Sequence, residues 1–228
     1  MNENKDMTNT PLYKILTYIT DLLLSNICFL LVISPILIYI SGYSKESSLG
    51  ILLLISILLG PAFTTLFSVM GKLVREKEIA AVRDFFHFYK INFFQGLIVS
   101  IIVNSALAVC YFDMTYFKGE GNNFMANVFL LGILAISLIS LYIYPLISRY
   151  NMKIIHAIKI SVRLMITKFY ISFTCIAMIV IVLFIIKTAK IALLGVLLGA
   201  SIIAYLIMYL EDNIICELEE EIKNKYRN

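Results

Sequence analysis

Residues 58–78 read LLGPAFTTLFSVMGKLVREKE. An apolar run is interrupted by Gly60-Pro61, resumes, and ends abruptly in charge at Lys72, Arg75, Glu76, Lys77 and Glu78. Proline removes a backbone donor and crowds the preceding turn, and a lipid interior offers no water to replace the lost bond. The stretch makes sense as a helix that crosses a bilayer. There Gly60 eases the crowding, and the hydroxyls of Thr64 and Thr65 can occupy freed backbone groups. A kink is expected at Pro61, with similar ones at Pro35 and Pro145. These kinks either shape a bundle statically or act as hinges. The absence of ionisable residues beside them favours the static reading.

Composition points to the same solvent. Hydrophobic residues make up 61% of the 228-residue chain and charged residues 15%, against about 45–50% and about 25% in soluble domains. A soluble surface does not carry that much apolar area. A spanning helix needs about 20 apolar residues. Six stretches fit, at 22–40, 49–71, 93–112, 124–148, 169–186 and 191–210, in a single integral membrane domain over 1–228. The last two are separated by only a few residues around Lys187 and Lys190, which predicts a tight hairpin. The fold class is all-α, a polytopic bundle of six transmembrane helices. Strands are disfavoured because the runs do not alternate. The first run is long enough to span and is followed by no small-residue cleavage site, so it reads as a helix rather than a cleaved leader.

Of the nineteen Lys and Arg residues, fifteen fall at the termini and in the second and fourth connections. Lys45, Lys118, Lys187 and Lys190 fall on the other side. The positive-inside rule puts the fifteen-bearing side and both termini in the cytoplasm. With no Trp in the chain, Tyr supplies the interfacial belt.

Both basic connections show helical periodicity. Over about 76–92, Ile79, Val82, Phe85 or Phe86, Tyr89 and Phe93 oppose Arg83, His87 and Lys90. Over about 152–168, Ile154 or Ile155, Ile158, Val162, Met165 or Ile166, and Phe169 oppose His156, Lys159, Arg163 and Thr167. Two cytoplasmic amphipathic helices are predicted, each lying at an anionic bilayer surface or against a partner. The theme of a Pro-bearing span followed by a basic amphipathic helix occurs twice, as a parallel duplication would leave it. The tail ELEEEIKNKYR is predicted to extend the sixth span as a polar helix, supported by Glu219–Lys223 and Glu221–Lys225 pairs.

No chemistry stands out. The span centres carry no ionisable residue, whereas ion-coupled carriers keep such groups despite a cost of about 2.5–3.5 kcal/mol. Asn26 and Asn104 are the strongest polar groups within the spans, and each reads as an interhelical hydrogen bonder before a substrate ligand. The only histidines, His87 and His156, lack zinc spacing, and no C-x-x-C pair, phosphate loop or nucleophile motif occurs. The chain is expected to be no enzyme and to need no cofactor or metal. Its basic residues follow from topology, so nucleic acid is not called for as a partner.

The stretch GPAFTTLFSVMGKLVREKE with RDFFHFYKINFFQGL resembles the signature of the YesL-like family of bacterial integral membrane proteins. Gly60, Pro61, Ala62, Leu66, Phe67, Phe85, Phe88, Asn92, Phe93 and Gln95 match it, with one residue inserted at Phe88-Tyr89-Lys90. SNICFLLVISP, with Asn26 and Pro35, and YPLISRYN, with Pro145 and Arg149, are similar to the family's first and fourth spans. SGYSKESS departs from its shorter first outer loop. The resemblance implies a bacterial cytoplasmic membrane protein whose biochemical role is not established, associated with carbohydrate uptake and its transport components. It carries no catalytic residues over. Taken together, the candidate structural or partner-contact residues are Asn26, Pro35, Gly60, Pro61, Arg83, Phe85, Phe88, Asn92, Asn104, Pro145 and Arg149. A second reading is a permease subunit of an ABC-type importer. EIAAVRDFF resembles the coupling loop of those permeases, with Ile79 inserted after Glu78 and no Gly at the expected place.

Overall fold

A computed structural model describes residues 11–42, 49–188 and 192–227, all of which are helical or in short connections. In chain order the helices are α1 (Pro11–Ser41), α2 (Leu49–Ser56), α3 (Leu59–Glu76), α4 (Ala81–Gly119), α5 (Asn123–Arg149), α6 (Ile154–Thr167), α7 (Phe169–Thr188) and α8 (Ala192–Arg227). Six are long and apolar enough to cross a membrane when the end of α2 is counted with α3. The fold is that of a multi-pass membrane protein. The hairpin tip expected around Lys190 and most of the first loop, SGYSKESS, lie outside the described residues.

α3 sits at the centre, with α1, α4, α5 and α8 packed around it. Thirteen of its 18 residues are buried, whereas α7 exposes most of its apolar side chains and buries only Ser172 and Cys175. Lipid tails are as apolar as Leu, so burial alone does not draw helices together in a bilayer. Close packing and interhelical hydrogen bonds do. The small residues Gly60, Ala62, Thr64, Thr65, Ser68 and Gly71 give α3 that closeness, and all of them are buried.

The expected kink at Pro61 takes a different form. The chain leaves the helix at Ile57 and Leu58 and restarts at Leu59, so Pro61 lies in the first turn of α3. In a first turn the missing N–H has no intrahelical partner to lose. The carbonyl of Ile57, which Pro61 would orphan, accepts the Gly60 N–H at 3.2 Å. Thr64 and Thr65 donate instead to the carbonyls of Gly60 (2.8 Å) and Pro61 (2.7 Å). Pro35 lies inside α1. Ser34 Oγ donates at 2.8 Å to the carbonyl of Leu31, the one four residues before the proline. Pro145 is buried inside α5, and Ser148 Oγ donates to its carbonyl at 2.7 Å.

The two predicted amphipathic helices also fare differently. The first is not a separate helix. Residues 77–80 turn, and Ala81–Gly119 then runs unbroken for 39 residues, about 58 Å at 1.5 Å per residue. That is far more than the roughly 30 Å of hydrocarbon, so the helix projects beyond it. Lys77 ends α3 in the left-handed conformation (φ 64°), with its N–H on Leu73 O at 3.1 Å. The second is a helix of its own, α6. Its buried face is Ala157, Ser161 and Leu164, rotated from the expected apolar row. Ile155 (67% exposed) and Ile166 (68%) stand out on the opposite face, with Lys159 beside them and Arg163 and His156 between that face and the buried one.

At the far end, Asn122 caps α5 by accepting the Met125 N–H at 3.2 Å, and Gly121 (φ 76°) makes the turn from α4. α8 continues to Arg227 as one helix of 36 residues, so the tail extends the last span. The pairs expected there, Glu219–Lys223 and Glu221–Lys225, involve side chains outside the described residues.

Candidate functional site at the basic end

The second and fourth connections meet at one end of the bundle, the basic end, and the polar contacts gather there. Lys72 Nζ on α3 approaches Asp84 Oδ2 on α4 at 2.7 Å and Glu76 at 3.9 Å. The same Asp84 oxygen accepts the Ala80 N–H at 3.1 Å, so one carboxylate both starts α4 and pins it to α3. Negative charge in a first helical turn also suits the helix dipole.

Deeper in, three helices share one serine. Asn92 Nδ2 on α4 donates to Ser68 Oγ at 2.8 Å, and Ser68 Oγ is 2.9 Å from both Thr64 O and Ser148 O. Ser148 lies in the last turn of α5, where carbonyls lack intrahelical donors. Ser68 therefore supplies a partner that the helix end needs, and Asn92 locks the serine in place. Next along, Arg149 Nη1 is 2.7 Å from Asp212 Oδ1, joining α5 to α8. Its guanidinium carbon lies 5.6 Å from the centre of the Tyr150 ring. Tyr142 OH reaches Ser172 Oγ at 2.7 Å and the Lys168 carbonyl at 3.1 Å, tying α5 to the start of α7.

Between these bonds lies Glu211, 1% exposed, with Tyr142 and Cys175 close enough to feel its charge. Its Oε1 has no hydrogen-bond partner among the described residues. An unpaired buried carboxylate is costly, and ionisable groups held in such places in membrane proteins are functional candidates by default. Among the described residues no three of His, Cys, Asp and Glu come together as a metal site would need.

The residues singled out from the sequence fall into three places. Phe85, Phe88, Asn92 and Arg149 gather at the basic end. Phe85 is fully buried against the α3 core, with Phe88 packed beside it. Arg83 stands exposed on the outer side of α4. Gly60 and Pro61 sit against α4 near Gly96 and Ser100. Asn26 lies apart, at the contact of α1 and α8. Its Nδ2 donates to Val196 O at 2.7 Å and its Oδ1 accepts the Ser201 N–H at 3.1 Å, while Ser201 Oγ donates to Leu22 O at 2.8 Å. Asn26 is thus the interhelical bonder expected of it. Asn26→Leu keeps the volume and removes two bonds. It should lower stability by about 1–2 kcal/mol, given that such bonds contribute about 0.6–1.7 kcal/mol each. Thermal unfolding in detergent measures the loss, and an unchanged midpoint would show that the bonds contribute nothing net.

Asn104 does not follow suit. Its Nδ2 donates at 3.1 Å to Ser100 Oγ, one turn back on the same helix. Ser100 is the nearer partner by geometry, at the i−4 position on the same face. Sequence reasoning missed Ser68, Gly96, Ser201, Glu211 and Asp212. Small residues four apart were the available signal for several of them: Gly60, Thr64 and Ser68 on one helix, and Asn92, Gly96 and Ser100 on the other. Glu211 and Asp212 fall just past the charge-free run 191–210, where hydropathy gives no sign of a partner.

Residues 20–114 match the family described as "Protein of unknown function, DUF624". The matched segment covers most of α1 and all of α2 and α3, and runs through α4 to residue 114. It holds the Gly60–Gly96 contact and the Lys72–Asp84 pair, but not Arg149 or Asp212. No curated protein and no solved structure matches the chain.

Proposed function

We propose that this chain, whose residues 20–114 match the DUF624 family, is a non-enzymatic accessory protein of a bacterial cytoplasmic membrane that works through its basic end. Both termini face the cytoplasm. The first turns of α4 project past the hydrocarbon on the cytoplasmic side, and the whole of α6 lies along the membrane surface, with apolar residues toward lipid and basic residues toward headgroups. The YesL-like resemblance of the sequence adds an association with transport, carbohydrate uptake first.

One observation carries the reading. The ion pairs and the shared-serine junction concentrate at the basic end, which makes a braced platform of the face bearing most of the cations. On α6 the exposed face divides into an apolar strip, Ile155 and Ile166, and a basic strip, Lys159 and Arg163. The ABC permease reading gains no such support. Residues 78–86 form a turn and the opening of a spanning helix, without the separate helix by which such a loop would dock a partner.

Two experiments test this. Lys77→Cys and Lys159→Cys, in a background without other cysteines, should react with an impermeant maleimide only after cells are opened. Labelling of either in intact cells would refute the orientation. Crosslinking in native membranes followed by mass spectrometry should capture a sugar-transport component, and the capture should fall on reversing Arg83 and Lys90 to Glu. A purified chain that alone carries a labelled sugar into liposomes would defeat the accessory role.

A further inference from the structure

Where α4 passes the connection from α5 to α6, a groove of about 610 Å³ opens at the basic end. Gln95, Asn151 and Lys153 line it together with Ile98, Ile154 and Ile155. We propose that this groove binds an anionic phospholipid, its phosphate on Lys153 and its acyl chain along Ile98 and Ile155. The proposal rests on the membrane reading above and extends it to a particular lipid class.

On the α4 side the lining is sorted by polarity along the helix. Ile98 lies three residues beyond Gln95 on α4, toward the far end, about 4.5 Å deeper into the span. Gln95 is therefore nearer headgroup level and Ile98 nearer chain level, while Lys153 and Ile155 lie two residues apart where α6 begins. Ile98 is 44% exposed and Ile155 67% exposed, and in a bilayer what covers such outward apolar side chains at that depth is acyl chain. The groove is held open by structure, because Gln95 Nε2 donates to the Met152 carbonyl at 2.9 Å and fastens the connection to α4. That bond leaves the Gln95 amide oxygen to accept from a glycerol hydroxyl.

Charge chooses among lipids. The ion pairs among the described residues use Lys72 and Arg149, so no carboxylate there is in ion-pair reach of Lys153. A phosphate with net negative charge satisfies Lys153. A choline headgroup would bring its own cation beside it. One Lys near an anionic lipid surface contributes enough to change binding by about five-fold.

The purified full-length chain, in neutral detergent, is offered phosphatidylglycerol and phosphatidylcholine with identical acyl chains. Retention is read by native mass spectrometry. Phosphatidylglycerol should be preferred by wild type. The preference should fall about five-fold in Lys153→Gln, return in Lys153→Arg, and stay unchanged in Lys118→Gln at the far end. Glycerol 3-phosphate, which has no chains, should not compete. Equal retention of the two lipids by wild type, a preference that survives Lys153→Gln, or competition by glycerol 3-phosphate would each overturn the site. Micelles have no inside, so a wrong membrane orientation would leave this result untouched, and the two readings fail separately.

Discussion

Gly96→Ala should destabilise the protein by about 2 kcal/mol, and Gly96→Val should prevent a folded protein from being recovered. A Cβ at Gly96 would lie 2.8 Å from Thr64 Oγ1, 2.9 Å from Pro61 Cα and 3.0 Å from Pro61 N. Two of those atoms are backbone and cannot rotate away. Gly60 meets the same helix from the other side, since its Cβ would stand 2.3 Å from Ser100 Cβ and 2.4 Å from the Gly96 carbonyl. Two opposing forces act on such a substitution. Alanine favours a helix over glycine by about 1 kcal/mol, while overpacking a filled contact costs about 1–3 kcal/mol or more. Contact with rigid backbone puts the cost at the upper end, so overpacking wins. Gly119, where a Cβ would have nothing within 4 Å, is the control, and Gly119→Ala should be neutral or slightly stabilising. The buried thiols of Cys28 and Cys175 let a thiol-reactive dye report unfolding on heating. Equal midpoints for Gly96→Ala and Gly119→Ala would mean that α3 and α4 do not approach as closely as described.

Breaking the Arg149–Asp212 pair gives the second large effect. Arg149→Ala and Asp212→Ala should each cost about 3 kcal/mol, while the double variant Arg149→Met/Asp212→Leu should cost clearly less than the sum. The side chains are 12% and 27% exposed at 2.7 Å separation, so removal of one leaves the other charged and poorly solvated. Replacing both by apolar groups removes that penalty. The pair also joins α5 to α8, which share few other contacts. Strict additivity of the two single losses in a double-mutant cycle would show that the charges act independently.

These effects were unevenly legible in the sequence. The spans were readable because hydrocarbon leaves a chain only one local solution. A backbone without water must bond to itself, and about 20 apolar residues in a row say so without reference to anything distant. Gly60-Pro61 marked a break in the second span, but its form depended on the neighbours. Proline costs least in a first turn, and α4 crowds that turn so closely that only Gly96 fits. The 76–92 segment kept its helical period, yet the period could not say whether the helix stopped before the next span or ran straight into it.

Amino-acid order by itself determined the solvent, the number of crossings and the basic end, because transfer to lipid and the bias of cations are properties of short segments. Tertiary structure alone decided that Ser68 serves Asn92 and Ser148 together, that Asp212 answers Arg149, and that Glu211 is sealed from water. Those outcomes join residues 24 to 80 positions apart. Such meetings arise from how closely small side chains let helices approach, a geometry that hydropathy does not encode.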